Sequence, residues 1–300
     1  MLVSFGFIII SIIWGSTWLA IKIGLDSVPP FFAVALRFSL AMAIIWFIQK
    51  MRGERLPVDR TSISLYVTLA VLSFSFPFAL VYWGEQYIGS GLASILFAVY
   101  PFVVATGSHF FLPNERLNLL KISGITLGFI GILIIFWADI HVGEKSTLGM
   151  VAVLASTLMQ GTSLIIVKRL SKNISPASMS LGGMIFGVGI MYCLAFTREN
   201  ISAITLDAKG VGSILYLGAF GTVVTFLIYY WLLKRVEAVY LSLVTLVTPV
   251  LAVILGTLWL HEALAPRVFT GAGLILLGIL IANGRDLIAA VQNHKQRYFS

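Results

Sequence analysis

Tyr82 to Pro101 reads YWGEQYIGSGLASILFAVYP, and Tyr230 to Pro249 reads YWLLKRVEAVYLSLVTLVTP. Both stretches open on a Tyr-Trp pair, close on a proline and carry a serine, Ser94 and Ser242, all at an offset of 148. The correspondence continues on either side of them. Towards the N-terminus, Gly15-Ser16-Thr17 with Lys22 matches Gly161-Thr162-Ser163 with Lys168 at an offset of 146, and Pro30 matches Pro176 at the same offset. Towards the C-terminus, Glu115, Gly124 and Gly131 match Glu262, Gly271 and Gly278 at 147. Loop insertions and deletions change an offset in such small steps, and the order is kept throughout, so the chain is an internal repeat.

The repeat is built of membrane-spanning material. Hydrophobic residues make up 59% of the 300 and charged residues only 11%, too few charges to clothe a soluble surface. Apolar runs predict ten spans, at about 3–23, 31–49, 63–83, 90–112, 118–138, 147–167, 177–196, 211–233, 239–260 and 268–288, each long enough to cross a bilayer. The first run lacks the basic start and small-residue cleavage site of a signal peptide, so it counts as a span. The expected fold is an all-α integral membrane protein with ten transmembrane helices in two five-helix repeats, 1–145 and 146–288, followed by a cytoplasmic tail, 289–300. The excess of basic residues, 20 against 12 acidic, sits in the gaps between spans, which points to the bilayer and not to nucleic acid. Of these basic residues, fourteen fall on the side that holds both termini and five on the other, so both termini are expected in the cytoplasm.

An odd number of spans per repeat makes the second half enter the membrane from the opposite face. The two halves are then related by a pseudo-two-fold axis in the membrane plane. Such a pair can open a central site to one side and then to the other, so a transporter is the leading reading.

The residues also carry a family resemblance. Tyr82 to Pro101, followed by Leu112, Glu115, Leu117 and Gly124/Gly128/Gly131, resembles the EamA repeat of the drug/metabolite transporter superfamily, as does Tyr230 to Gly278. Trp14-Gly15-Ser16-Thr17-Trp18 resembles the opening segment of that family. Within it the chain is most similar to YddG-type bacterial amino-acid exporters, which implies an inner-membrane secondary transporter for small metabolites, with aromatic amino acids preferred. A lipid flippase or scramblase, or an exporter of another metabolite or drug, would use the same scaffold.

For the substrate site the spans offer hydroxyls, one amide and rings: Trp14 and Trp18 in span one, Tyr82 ending span three, Phe97 and Tyr100 in span four, Gln160 and Ser163 in span six, Tyr230 in span eight, and Ser242 and Thr245 in span nine. Converging, they would hold a zwitterion with an apolar side chain. Tyr82 and Tyr230 lie close enough to span ends to serve instead as interfacial anchors. Trp46 and Tyr66 read as residues of the cytoplasmic interface. Pro101 and Pro249 form a symmetric pair within their spans, and read either as gating positions or as static kinks. The glycines of spans five and ten are expected to meet at the pseudo-symmetry axis or to mediate a homodimer in place of a monomer.

Charged residues inform by position. All twelve acids fall in connections or at span ends, so the chain is read as a facilitator or as coupling protons through something less obvious. Glu115 and Glu262 read as structural anions at helix starts. Arg37 lies about two turns inside span two and reads either as a partner of Asp26 or Glu85 or as the captor of a substrate carboxylate. No catalytic set, such as His-Glu-x-x-His or paired aspartates, occurs, so no enzyme is expected. A lone cysteine, Cys193, supports neither disulfides nor a thiolate metal site. Neither metal nor cofactor is expected.

Overall fold

The computed structural model describes residues 2–112, 118–139, 144–171, 174–205, 207–278 and 280–281. Eight helices among them are long and apolar enough to cross a membrane: α1 (Leu2–Gly24), α2 (Pro30–Met51), α3 (Arg60–Glu85), α4 (Ser90–Phe111), α6 (Glu144–Leu170), α7 (Pro176–Arg198), α8 (Ala208–Leu233) and α9 (Ala238–Leu260). Two shorter apolar stretches accompany them, within α5 (Leu119–Asp139) and as α10 (Pro266–Gly278). Glu115 and the 289–300 tail lie outside the described residues.

The helices pack in matching sets. α2 lies against α7, α1 lies against α8 and α9, and α6 lies against α3 and α4. Lys22, in the last turn of α1, donates to the backbone carbonyls of Glu85 and Ile88 where α3 ends. Lys168, its counterpart in α6, donates to the carbonyls of Leu233 and Val236 where α8 ends, both at 2.5 Å. Terminal carbonyls have no partner within their own helix, so an ammonium placed there removes an unmet acceptor and complements the helix dipole. α6 begins beside this first tie, with Gly149 against Gly84 and Ile88. α1 begins at the opposite end, where Phe7 meets Tyr240 with ring centroids 4.9 Å apart.

Glycines make the closest contacts. A Cβ on Gly131 would stand 2.5 Å from the Gly271 carbonyl oxygen, and one on Gly271 would stand 2.6 Å from that of Gly131. Of the two places expected for the glycine ladders, α5 and α10 therefore meet one another within the chain. α3 and α6 touch in the same way, a Cβ on Gly84 falling 2.8 Å from the Gly149 carbonyl. With no hydrophobic drive between helices in lipid, such backbone approach supplies dispersion contact that larger residues would prevent.

Four local structures depart from the expected helices. α3 widens into a π-helix at Ala70–Ser75 and α8 does so at Ala219–Val224, the same place in the repeat. In α3 the cause is Pro77, which has no N–H to offer the Ser73 carbonyl. In α8 the Thr222 hydroxyl donates to the Leu217 carbonyl at 2.8 Å across the widened turn. Pro101 and Pro249 do not kink continuous helices. α4 breaks after Phe97 and restarts at Tyr100, and α9 breaks through a 3-10 turn, Leu243–Leu246, and restarts at Thr248. Each proline then occupies a first helical turn, where its missing N–H is not needed.

Glu262 is structural, but for a helix other than the one it precedes. α9 ends at His261 in the left-handed conformation (φ 53°), and beyond that turn the Glu262 carboxylate accepts from the N–H groups of Ser90 (2.8 Å) and Gly91 (3.1 Å) and from the Ser90 hydroxyl (3.0 Å). It caps α4. Glu262→Ala orphans all three donors and should cost about 2 kcal/mol, seen as a lower Tm of the detergent-solubilised protein. An unchanged Tm would leave the cap without energetic weight.

Candidate functional site

Between the halves lie two chambers. The first lies towards the Lys22 end and is lined by Trp14, Thr17, Trp18, Ile21, Arg37, Phe78, Val81, Phe97, Gln160, Phe226, Thr245 and Thr248. The second lies towards the Lys168 end and is lined by Trp14, Ser73, Phe97, Tyr100, Gln160, Ser163, Leu164, Val167, Phe226, Tyr229, Tyr230 and Thr245. Trp14, Phe97, Gln160, Phe226 and Thr245 belong to both walls.

The repeat offsets turn one wall into the other. Trp14 exchanges with Gln160, Thr17 with Ser163, Trp18 with Leu164, Ile21 with Val167, Val81 with Tyr229, Phe97 with Thr245 and Tyr100 with Thr248. Chemistry nevertheless differs between the two. In the second chamber the hydroxyls of Tyr100 and Tyr229 are hydrogen-bonded at 2.7 Å, joining α4 to α8, and Phe97 stacks on Tyr100 at 5.6 Å. The corresponding pair in the first chamber is Thr248 and Val81, and a valine has no hydroxyl to share.

The first chamber holds the only arginine on either wall, among the described residues. Arg37 is 2% exposed. Its Nε donates to Thr222 Oγ1 (2.8 Å), one terminal nitrogen donates to the Gly221 carbonyl (3.0 Å) and the other to the Tyr82 hydroxyl (3.2 Å). Its guanidinium also lies 4.7 Å from the Phe78 ring centroid. Neither acid considered from sequence is its partner: Asp26 lies 3.4 Å from exposed Lys209, and the oxygens of Glu85 accept no hydrogen bond. Neutral oxygens satisfy part of the guanidinium's fork without cancelling its charge. Such a group in a cavity wall attracts a carboxylate.

The residues chosen from sequence divide accordingly. Trp14, Phe97, Gln160 and Thr245 face both chambers, Trp18 faces the first, and Tyr100, Ser163 and Tyr230 face the second. Tyr82 stands behind the wall as a support for Arg37. Ser242 is fully buried and bonded to the Val239 carbonyl of its own helix (2.6 Å), and neither it nor Pro101 nor Pro249 lines a chamber. Ser73, in the π segment, bonds Ser163 at 2.6 Å. Tyr66, expected at the cytoplasmic interface, is 2% exposed and packs over Gly182. Sequence reading overlooked Thr17, Phe78, Phe226 and Thr222, although the matching Phe78 and Phe226 were visible as a repeat pair.

Comparison with known proteins gives a consistent picture. The sequence pattern of the EamA-like transporter family matches residues 1–137 and again 147–284. An uncharacterised transporter of Bacillus subtilis, YoaV, is 28% identical over 93% of this chain and 96% of its own length. Protein PagO of Salmonella typhimurium is 30% identical, covering 84% of this chain and 83% of its own. A probable amino-acid metabolite efflux pump of Escherichia coli is 28% identical over 91% and 92%. A crystal structure 18% identical in sequence superposes with a TM-score of 0.71 over 94% of this chain and 96% of that one, a likeness of fold.

Proposed function

Because this chain belongs to the EamA-like transporter family, we propose that it exports small metabolites, above all amino acids with aromatic or other apolar side chains, across the bacterial inner membrane by alternating access. In this reading ten helices cross the membrane, residues 1–145 and 146–288 are five-helix repeats of inverted topology, and both termini lie in the cytoplasm. The observation that carries it is the exchange of chamber walls under the repeat. If each half adopted the other's conformation, the chamber at the Lys22 end and the chamber at the Lys168 end would trade shapes, and the shared middle would change the side it faces. The opposed starts of α1 and α6 and the matching lysine ties support the inversion.

The choice of substrate rests on the wall chemistry. Arg37 suits a carboxylate, the Gln160 amide and Thr245 suit polar atoms, and Trp14, Phe97 and Phe226 offer ring faces to an apolar side chain. The name carried by the Escherichia coli relative points the same way. Pro101 and Pro249, at the restart of two broken helices, are the proposed gating positions, with the π segments as additional hinges.

The test is counterflow. Liposomes containing the purified protein are loaded with unlabelled phenylalanine, and entry of labelled phenylalanine, tryptophan, leucine, glutamate and lysine is measured, with a fluorescent-lipid translocation assay on the same vesicles. The apolar and aromatic amino acids should accumulate. Lipid translocation without amino-acid counterflow would replace this reading with a flippase, and counterflow of none of these solutes would remove the substrate class. Tyr100→Ala and Gln160→Ala should each weaken counterflow several-fold, about 1 kcal/mol for a lost ring contact or hydrogen bond, at unchanged protein content. Trp46, 53% exposed, is the control, and Trp46→Leu should leave selectivity as it is.

A further inference from the structure

Sequence position places Glu85 among the acids at span ends, but the structure buries it completely. Its relative exposure is 0%, and neither carboxylate oxygen has a hydrogen-bond partner among the described residues. Its backbone is tied: the Lys22 ammonium donates to the Glu85 and Ile88 carbonyls, so that cation is engaged with the main chain and not hydrogen-bonded to the carboxylate. Phe78 and Val81, seven and four residues earlier, line the first chamber. At that spacing Glu85 lies on the same helical face, one turn beyond the wall towards the Lys22 end.

The charges acting on Glu85 come from three other elements: Lys22 of α1, Arg37 of α2 and Glu262 after α9. Tyr82 of its own helix contributes a hydroxyl bonded to Arg37. α6 packs on α3 at Gly84 and Gly149, and its first-turn charges, Glu144 and Lys145, are exposed. Glu262 is committed to the cap of α4 through three donors. Glu85 is thus the carboxylate of this group that no hydrogen bond engages. A buried carboxylate without donors is poorly tolerated as an anion, and a proton removes the charge. When Arg37 or Lys22 turns towards it, the anion is favoured and the proton leaves.

The geometry points to Glu85 as a proton-binding site that couples the exchange of the two chambers to a pH gradient. The inference rests on the alternating-access reading above. The ligand is a hydrogen ion, added to a carboxylate oxygen from the aqueous phase at the Lys22 end and released when the conformation changes. No other bond forms or breaks. Arg37 links this event to the cargo, because the same guanidinium faces the chamber and is bonded to Tyr82, one turn before Glu85 on the same helix, so a bound substrate carboxylate and an ionised Glu85 compete for it.

Two measurements test the inference, one of them independent of the cargo. Infrared difference spectra of the full-length protein in liposomes, recorded while pH is cycled, should contain the carbonyl stretch of a protonated carboxylic acid that disappears in Glu85→Gln. In phenylalanine uptake, a tenfold difference in proton activity across the membrane should accelerate the wild type, and Glu85→Gln should lose that acceleration while keeping counterflow at equal pH. Glu85→Asp, which keeps the acid, should retain the acceleration with a displaced pH midpoint, and it stands in if the glutamine variant does not fold. A carboxylic-acid band unchanged in Glu85→Gln, or in Glu85→Asp where that variant stands in, would overturn the assignment, as would gradient-driven uptake at wild-type rate in Glu85→Gln or an undisplaced midpoint in Glu85→Asp. If phenylalanine is not moved at all, the substrate reading fails while the infrared band still decides Glu85.

Discussion

Arg37→Ala should abolish counterflow of phenylalanine. The guanidinium is buried, bonded to three oxygens and placed in the chamber wall. Its removal withdraws the positive charge proposed to hold the substrate carboxylate. It also deprives the Tyr82 hydroxyl and Thr222 Oγ1 of the Arg37 donor and the Gly221 carbonyl of one of its donors, the Thr225 hydroxyl being another. Losing one partner of a buried ionic contact costs about 3–5 kcal/mol, or more than a hundredfold in affinity. Arg37→Lys keeps the charge but not the fork, and should cost about tenfold. The assay that assigns the loss compares phenylalanine with phenethylamine, which lacks the carboxylate, as competitors in binding to the solubilised protein. The variant should lose phenylalanine selectively. Equal losses for both compounds would make Arg37 a strut between α2 and α8 and not an anchor, and normal counterflow would remove it from the site.

The second large effect concerns packing. Gly131→Val forces a side chain into the Gly271 carbonyl at a point where its first carbon would already stand 2.5 Å away. Two backbones cannot yield as the tip of a side chain does, so α5 and α10 must part. Overpacking of this kind costs about 3 kcal/mol or more, and the expected result is a strong loss of folded protein on size-exclusion chromatography. Gly273 lies on α10 two residues from Gly271, with nothing within 4 Å of a Cβ built there. Gly273→Val should behave as wild type. Equal tolerance of both substitutions would show that the α5–α10 contact does not hold the fold.

The repeat was legible because its marks are local and ordered: Tyr-Trp, Ser, Pro and Gly recur in sequence at nearly one offset. Helix positions followed, since a run of apolar residues needs no partner to be recognised. The π segments did not: Pro77 disturbs α3 without fixing how the helix yields, and α8 has Thr225 at the matching place and no proline. Arg37 was visible as an anomaly, but its partner Thr222 lies 185 residues away, and nothing in the chain links the two beforehand. Glu85 shows the limit most clearly. Counting along a helix puts it at an end, and only the neighbours, α6 pressed on Gly84 and α1 reaching over with Lys22, close it off. Ser242 reads from sequence as one of the hydroxyls of span nine, but buried serines in apolar helices commonly bond a carbonyl of the preceding turn, as this one does.

Under the proposed alternating-access cycle, the wall common to both chambers would act as a turnstile with one place. Trp14, Phe97, Gln160, Phe226 and Thr245 line both chambers, so in that cycle molecules arriving from opposite compartments would be rivals for the same five side chains. Cargo already waiting outside would therefore obstruct net release while hastening one-for-one swapping, and a cell bathed in its own product would see the outflow stall with the protein still turning over.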